Sequence, residues 1–147
     1  MEVKHLVRKV GLSDSARLWE IRNTPQARKE SVNQDEIPWE NHQRWFQEKY
    51  FSGQNNACFV MEDNGYVIGY CRLDNENDRY VVSIALDPNY HGRGLGTFLL
   101  FESLNQLNTD RIILATVKKD NPGSIKIFIK NGFIEKSADE AYLYFEK

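Results

Sequence analysis

The chain has 147 residues, is 41% hydrophobic and carries a formal net charge of −2 at pH 7. That length suits a single domain spanning 1–147 with one core, and the near balance of charge offers no cationic field for nucleic acid. No run of 18 apolar residues occurs and the start, Met1 to His5, has no apolar signal region, so no membrane span and a cytoplasmic location are expected.

Residues 3–10 alternate and predict a first strand, which Gly11 ends. Ser13 reads as the N-cap of a helix carrying Leu18, Trp19 and Ile21, which runs out near Arg22 to Pro25. Residues 24–38 are polar, poorly periodic and hold Pro25 and Pro38, so they read mostly as loop. A second helix is expected over 39–51, with Trp39, His42, Trp45, Phe46 and Tyr50 near helical spacing. Two strands follow at 57–63 and 66–73, joined by the hairpin signal Asp63-Asn64-Gly65. Cys58 and Cys71 lie in these apolar runs and read as buried free thiols of a reducing compartment. A polar turn at Asn75 to Asp78 leads into a buried strand over 81–86. A helix is expected over 94–108, a strand over 111–117, a helix from Asn121 to Asn131-Gly132, and a last strand over 142–146. His5, His42 and His91 show no metal-ligand spacing, so no metal is expected.

The chemistry concentrates at the junction Ile84-Ala85-Leu86-Asp87-Pro88-Asn89-Tyr90-His91-Gly92-Arg93-Gly94-Leu95-Gly96-Thr97. Pro88 cannot donate to a sheet ladder, so the strand stops there. Gly92, Gly94 and Gly96 then remove side chains at alternate positions just where a helix begins. The first turn of a helix has free N–H groups and partial positive charge, a natural seat for a diphosphate. Arg93 adds a full charge. The dinucleotide fingerprint needs G-x-G-x-x-G, but position 97 is Thr; the P-loop needs a Lys after its glycines, and none follows.

The spacing His91-x-x-Gly94-x-Gly96 resembles the coenzyme A motif of the GNAT superfamily of N-acetyltransferases, with His91 where Gln or Arg is usual. A second match is Asn121-Pro122-Gly123-Ser124-Ile125-Lys126-Ile127-Phe128-Ile129-Lys130-Asn131-Gly132-Phe133, and the element order βααβββαβαβ also agrees. The resemblance implies an α/β (α+β) fold: a mixed sheet of about six to seven strands, splayed at its centre and flanked by about four helices. It implies acetyl-CoA as cosubstrate. Its pyrophosphate would lie on His91 to Thr97 and its pantetheine arm along Ile84, Ala85 and Leu86. Asn121, Ser124 and Phe128 would stand beside it, and Leu86 is the expected main-chain donor to the acetyl oxygen.

Acetyl transfer needs a neutral amine. For an amine of pKa near 10 that costs roughly 4 kcal/mol at neutral pH unless a base or a lowered pKa supplies it. The segment Arg79 to Ser83 has no carboxylate where the family often carries Glu. Ser83 can order a water; His42 titrates in the right range, though a helical His also serves as a packing residue. Asp74, Glu76 and Asp78 read as solvated turn residues. The family's usual Tyr, which protonates the leaving thiolate, falls on Phe128, which has no proton to give. Ser124, Tyr142 and Tyr144 are the substitutes in view.

The segment from Trp19-Glu20-Ile21-Arg22-Asn23 through Arg28 and Ser31 to Trp39 and His42-Gln43-Arg44-Trp45-Phe46 resembles acetyltransferases of nucleotide-linked amino sugars, of the pseudaminic acid pathway type. By that resemblance Arg22, Asn23, Trp39 and His42 bind the acceptor, a small-molecule amine with a nucleotide sugar as the candidate. A protein N-terminal or ribosomal-protein acetyltransferase and a catalytically silent acyl-CoA-binding module are the alternatives. Monomer and homodimer are both open.

Overall fold

A computed structural model describes residues 5–147. Residues 3 and 4 of the predicted first strand lie outside them. The elements are β1 (His5–Lys9), α1 (Ser15–Arg22), α2 (Pro25–Glu30), α3 (Trp39–Phe51), β2 (Ala57–Asp63), β3 (Tyr66–Glu76), β4 (Arg79–Leu86), α4 (Leu95–Leu107), β5 (Ile113–Lys118), α5 (Pro122–Lys130), β6 (Ile134–Ala138) and β7 (Tyr142–Glu146). The seven strands form one mixed sheet in the order β1-β2-β3-β4-β5-β7-β6.

Three local expectations change. The first helix begins at Ser15, not after a Ser13 cap, because Leu12–Asp14 forms a 3-10 turn. The Asp14 carboxylate is held there by Arg8 at 2.8 and 2.9 Å and by the Gly11 N–H at 2.7 Å. The predicted loop over 24–38 contains α2, so five helices flank the sheet. Thr24 Oγ1 accepts from Ala27 N–H and Pro25 takes the first helical position, a standard start that the polar composition hides. β6 is an added strand; every residue in it is exposed, so no alternation marks it.

The two tight hairpins follow their turn residues. Asn64-Gly65 and Asn77-Asp78 all take positive φ, as a two-residue turn matched to strand twist requires. The second turn is tighter than expected, so β3 runs on to Glu76 and keeps Asp74 inside the sheet.

Side-chain alternation divides the interior. One face packs Phe59, Met61, Leu73, Val82, Leu99, Leu100 and Phe128 under α4 and α5. The other packs Leu18, Ile21, Phe46, Val60 and Tyr70 under α1 and α3, with Ala85 of β4 against it.

All neighbouring strands are antiparallel except β4 and β5, which are parallel. That pair touches only at Tyr80↔Ile113 and Val81↔Leu114. Beyond Val81 the two strands part, while β4 stays paired with β3 as far as Gly69↔Leu86. At Gly69 a Cβ would stand 2.6 Å from Leu86 Cδ2 and 2.9 Å from the Ala85 carbonyl oxygen, so only glycine lets the strands close there. The sheet opens at its centre, and the opening leads toward the glycine loop.

Candidate active site

Hydrogen bonds at the two ends of β4 fix which way its backbone points. Tyr80 N–H donates to Ile112 O at 3.0 Å, toward β5; Asp87 N–H donates to Ile68 O at 2.7 Å, toward β3. With a two-residue repeat and an unbroken register, the main-chain groups of Ile84 and Leu86 point toward β5, past its last paired residue. They form an open strand edge inside the splay. Ala85 faces the α1–α3 side, and alternation puts Ser83 there too.

The edge runs into the loop. Asp87 accepts from Asn89 N–H at 2.9 Å and pairs with Arg17 of α1, fixing the turn after β4. His91 lies exposed with Nε2 3.2 Å from Leu86 O, so its ring caps the last strand carbonyl. Arg93 is exposed, its guanidinium 3.3 Å from Asn89 O. Gly92 and Gly94 take φ of +77° and +75° with nothing within 4 Å of the Cβ position. Gly94 is the N-cap of α4 and has no capping side chain. The first carbonyl bond is Phe98 N–H to Gly94 O, which leaves the amides of Leu95, Gly96 and Thr97 without helical partners.

Gly96 differs from its two neighbours. It is buried, and a Cβ there would meet Ile127 Cδ1 at 2.5 Å. Its missing side chain lets α4 approach α5, whereas Gly92 and Gly94 shape the backbone.

At the start of α5, Asn121 Oδ1 accepts from Ser124 N–H at 3.1 Å and its Nδ2 donates to Ser124 Oγ at 3.0 Å. The pair caps the helix. Phe128 is buried against Phe133 and Phe145, with ring centroids 5.1 and 6.3 Å apart. Tyr144 donates to Asp139, so that hydroxyl is engaged at the β6–β7 turn.

His42 corrects the expectation of a base. It is fully buried. Its Nε2 lies 2.9 Å from Ser15 O and its Nδ1 2.9 Å from Arg22 Nη1. A carbonyl can only accept, so Nε2 carries the hydrogen and Nδ1 spends its lone pair on Arg22. Burial, then the Arg22 charge, lower its pKa to about 4. The ring has no free lone pair; it holds Arg22. Asn23 also acts on structure, exchanging two bonds with Ile37: Nδ2 to the carbonyl at 3.0 Å and Ile37 N–H to Oδ1 at 2.8 Å. Trp19 Nε1 donates to the same carbonyl at 2.7 Å. Trp39 stands edge-on to Trp19 and stacks on His42, half-buried, as a wall of the α1–α3 face.

Arg72, which the sequence does not single out, and Asp74, which it presents as a solvated turn residue, come together beside the splay. β3 pairs Arg72 with Ser83 and Asp74 with Val81, so both side chains lie on the α1–α3 face beside the splay. Asp74 is buried, not solvated: it accepts from Tyr50 Oη at 2.9 Å and Arg72 Nη1 at 3.2 Å, and Lys49 Nζ stands 3.7 Å away. Trp45 has two guanidinium groups close to its ring, Arg22 at 4.1 Å and Arg72 at 5.0 Å from the centroid. Their sequence signal is two charges two residues apart that flank Leu73 directly after the apolar run Val67 to Cys71.

A cavity of about 660 Å³ lined by Lys9, Asn56, Tyr80 and Arg111 opens at the start of β4, the end remote from the glycine loop, and belongs to a different part of the surface. Among the described residues no group of three His, Cys, Asp or Glu could hold a metal ion, and no helix is long and apolar enough to cross a membrane.

Residues 18–133, which include the splayed strand edge and the helix it feeds, match the acetyltransferase (GNAT) family, and the chain belongs to that family. It is 29% identical over 110 residues to an uncharacterized N-acetyltransferase of Methanocaldococcus jannaschii, over 68% of this chain and 49% of the relative. It is 35% identical over 66 residues to L-2,4-diaminobutyric acid acetyltransferase of Nocardia farcinica, over 44% of this chain and 34% of the relative. The chain therefore spans half or less of these relatives' length. The fold is shared with spermidine N-acetyltransferase from Vibrio cholerae, solved in complex with CoA and spermine, at TM-score 0.85 and 16% identity over 97% of this chain and 94% of that one.

Proposed function

We propose that the chain is an N-acetyltransferase that moves the acetyl group of acetyl-CoA to the primary amine of a small molecule. The observation that carries this is the continuity of the open β4 edge with the uncapped N-terminus of α4. The residues fit the coenzyme. Free amides at Leu95, Gly96 and Thr97, with Gly92, Arg93 and Gly94 before them, suit its pyrophosphate. The main-chain groups of Ile84 and the Leu86 N–H, which no neighbouring strand pairs, suit the amides of its pantetheine arm. Bound there, the coenzyme supplies an activated acyl group, and Leu86 N–H is the donor placed to stabilise negative charge on the acyl oxygen. Asn121 and Ser124 fix the facing helix.

The proton chemistry rests on the α1–α3 face. Ser83 can order a water that relays the amine's proton out to bulk solvent. The charges of Arg22 and Arg72 disfavour an ammonium ion nearby and so help supply the neutral amine. They also weigh against basic polypeptide acceptors. With Phe128 in the core, the thiolate departs without an acid from that position. The aromatic wall of Trp39 beside these cations favours a nucleotide-linked amino sugar as acceptor. The relatives named for diaminobutyric acid and spermidine support a small amine in general. The buried free thiols Cys58 and Cys71 favour the reducing cytoplasm.

The test is thiol release from acetyl-CoA in the presence of an amine panel. Release with at least one amine is expected; CoA binding without turnover on any amine would leave an acyl-CoA-binding module instead. Gly94→Asp puts a carboxylate at the cradle and strains a left-handed position. Calorimetry should show CoA affinity reduced at least ~10-fold, and unchanged affinity would defeat the pyrophosphate assignment.

A further inference from the structure

We infer that the acceptor carries its own negative charge, a carboxylate or a phosphate seated between Arg22 and Arg72 against the edge of Trp45. The inference rests on the transferase reading and names the acceptor class of that site.

Three cations gather on the α1–α3 face of β3: Arg22, Lys49 and Arg72. Among the described residues, Asp74 is the carboxylate that forms ion pairs with them, at 3.2 Å to Arg72 and 3.7 Å to Lys49. Among the described residues Arg22 has no carboxylate partner, and its hydrogen bond goes to the neutral His42. The cluster therefore holds two positive charges more than it balances. Arg72 Nε is buried and bonded to nothing. Stacking on one indole brings the two guanidinium groups together despite their repulsion, which with burial lowers the Arg22 pKa. A fold stabilised for its own sake gains nothing from placing Arg22 beside an Arg72 that already shares one carboxylate with Lys49, whereas a fork of planar donors matches a carboxylate or phosphate.

The place is right for an acceptor. Arg72 is directly opposite Ser83, the residue before the open edge, so the cluster borders the splay on the side away from α4 and α5. It is also held rigid. His42 fixes Arg22 from behind, Asp74 with Tyr50 fixes Arg72, and Trp45 spaces them.

Matched acceptors test this: 4-aminobutyrate against n-butylamine, glucosamine 6-phosphate against glucosamine, and spermidine as a polycation. The anionic member of at least one pair should have kcat/KM about 100-fold higher, and the pair that responds tells carboxylate from phosphate. Arg72→Met should remove most of that advantage through KM, costing the anionic partner far more than the neutral one and leaving CoA affinity unchanged. Arg22→Lys, which keeps the charge, should keep part of it. Preference for butylamine, glucosamine or spermidine, or an equal loss on all amines in Arg72→Met, would overturn the inference. Failure of every amine counts against the transferase reading. Trp45 fluorescence of the CoA complex, titrated with 4-aminobutyrate and glucosamine 6-phosphate, then decides: a saturable change that Arg72→Met abolishes supports the anion seat, and no change refutes it.

Discussion

His42 shows what burial does to a residue chosen for its titration range. In solution an imidazole near pKa 6.5 is a ready base; here the ring is fully enclosed, spends Nδ1 on Arg22 and has its pKa lowered to about 4. Between those two values the unfolded chain binds a proton that the folded chain refuses. The His42 contribution to stability is thus complete above about pH 6.5 and is lost as pH falls toward 4, by at most ~1.4 kcal/mol per pH unit. Urea midpoints over pH 4–7 should fall on the acid side for the natural chain and be flatter for His42→Asn. An equal slope in both would contradict the buried neutral ring. Phe128 is the converse case. The resemblance points to a proton donor there, and the residue instead completes an aromatic cluster with Phe133 and Phe145.

Among the elements, the pairing of α4 with α5 turns on one missing side chain. Gly96 brings the helices close enough that a Cβ would meet Ile127 Cδ1 at 2.5 Å and Leu86 Cδ1 at 3.4 Å. Asn131 reinforces the contact by donating to Thr97 O at 3.3 Å and Ile127 O at 3.0 Å. Gly96→Val should cost about 1–3 kcal/mol by overpacking. Adding Ile127→Ala should recover part of that, because the truncated chain makes room. A double-mutant cycle by urea denaturation measures it, and purely additive losses would remove the packing account. Three glycines at one spacing therefore do two jobs: Gly92 and Gly94 give the loop its left-handed turns, and Gly96 sets an interhelical distance.

At the scale of the molecule, the parting of β4 from β5 joins the glycine-loop side of the sheet to the α1–α3 face. One parallel pair at the sheet centre holds only two residue pairs, while β5 is secured by β7 and β4 by β3. Lys118 of β5 ties that strand to the end of α2 by donating to the Lys29 carbonyl. If the coenzyme arm occupies this gap, amide hydrogen exchange should slow at Ile84 and Leu86 on adding CoA and stay unchanged at Asp87, already bonded to Ile68. Equal protection at all three would mean general stiffening instead of strand pairing.

By itself the sequence determined the strands of alternating or continuous apolar residues, the two Asn-led hairpins, the glycine-capped start of α4 and the family to which they belong. These are local: turn chemistry, side-chain period and helix capping act within a few residues. It did not reveal β6, whose exposed residues have no period, or α2, whose polar helix buries no stripe. Nor did it separate the buried His42 from a solvent-facing one, or Asp74 from its solvated neighbours Glu76 and Asp78. Those outcomes depend on what β3 lays beside β4 and on what α1 and α3 lay over them. Only the tertiary structure decided that Arg22, Trp45, Arg72 and Asp74, spread over 53 positions of the chain, meet beside the splay, because burial and charge pairing arise between elements that are distant in sequence.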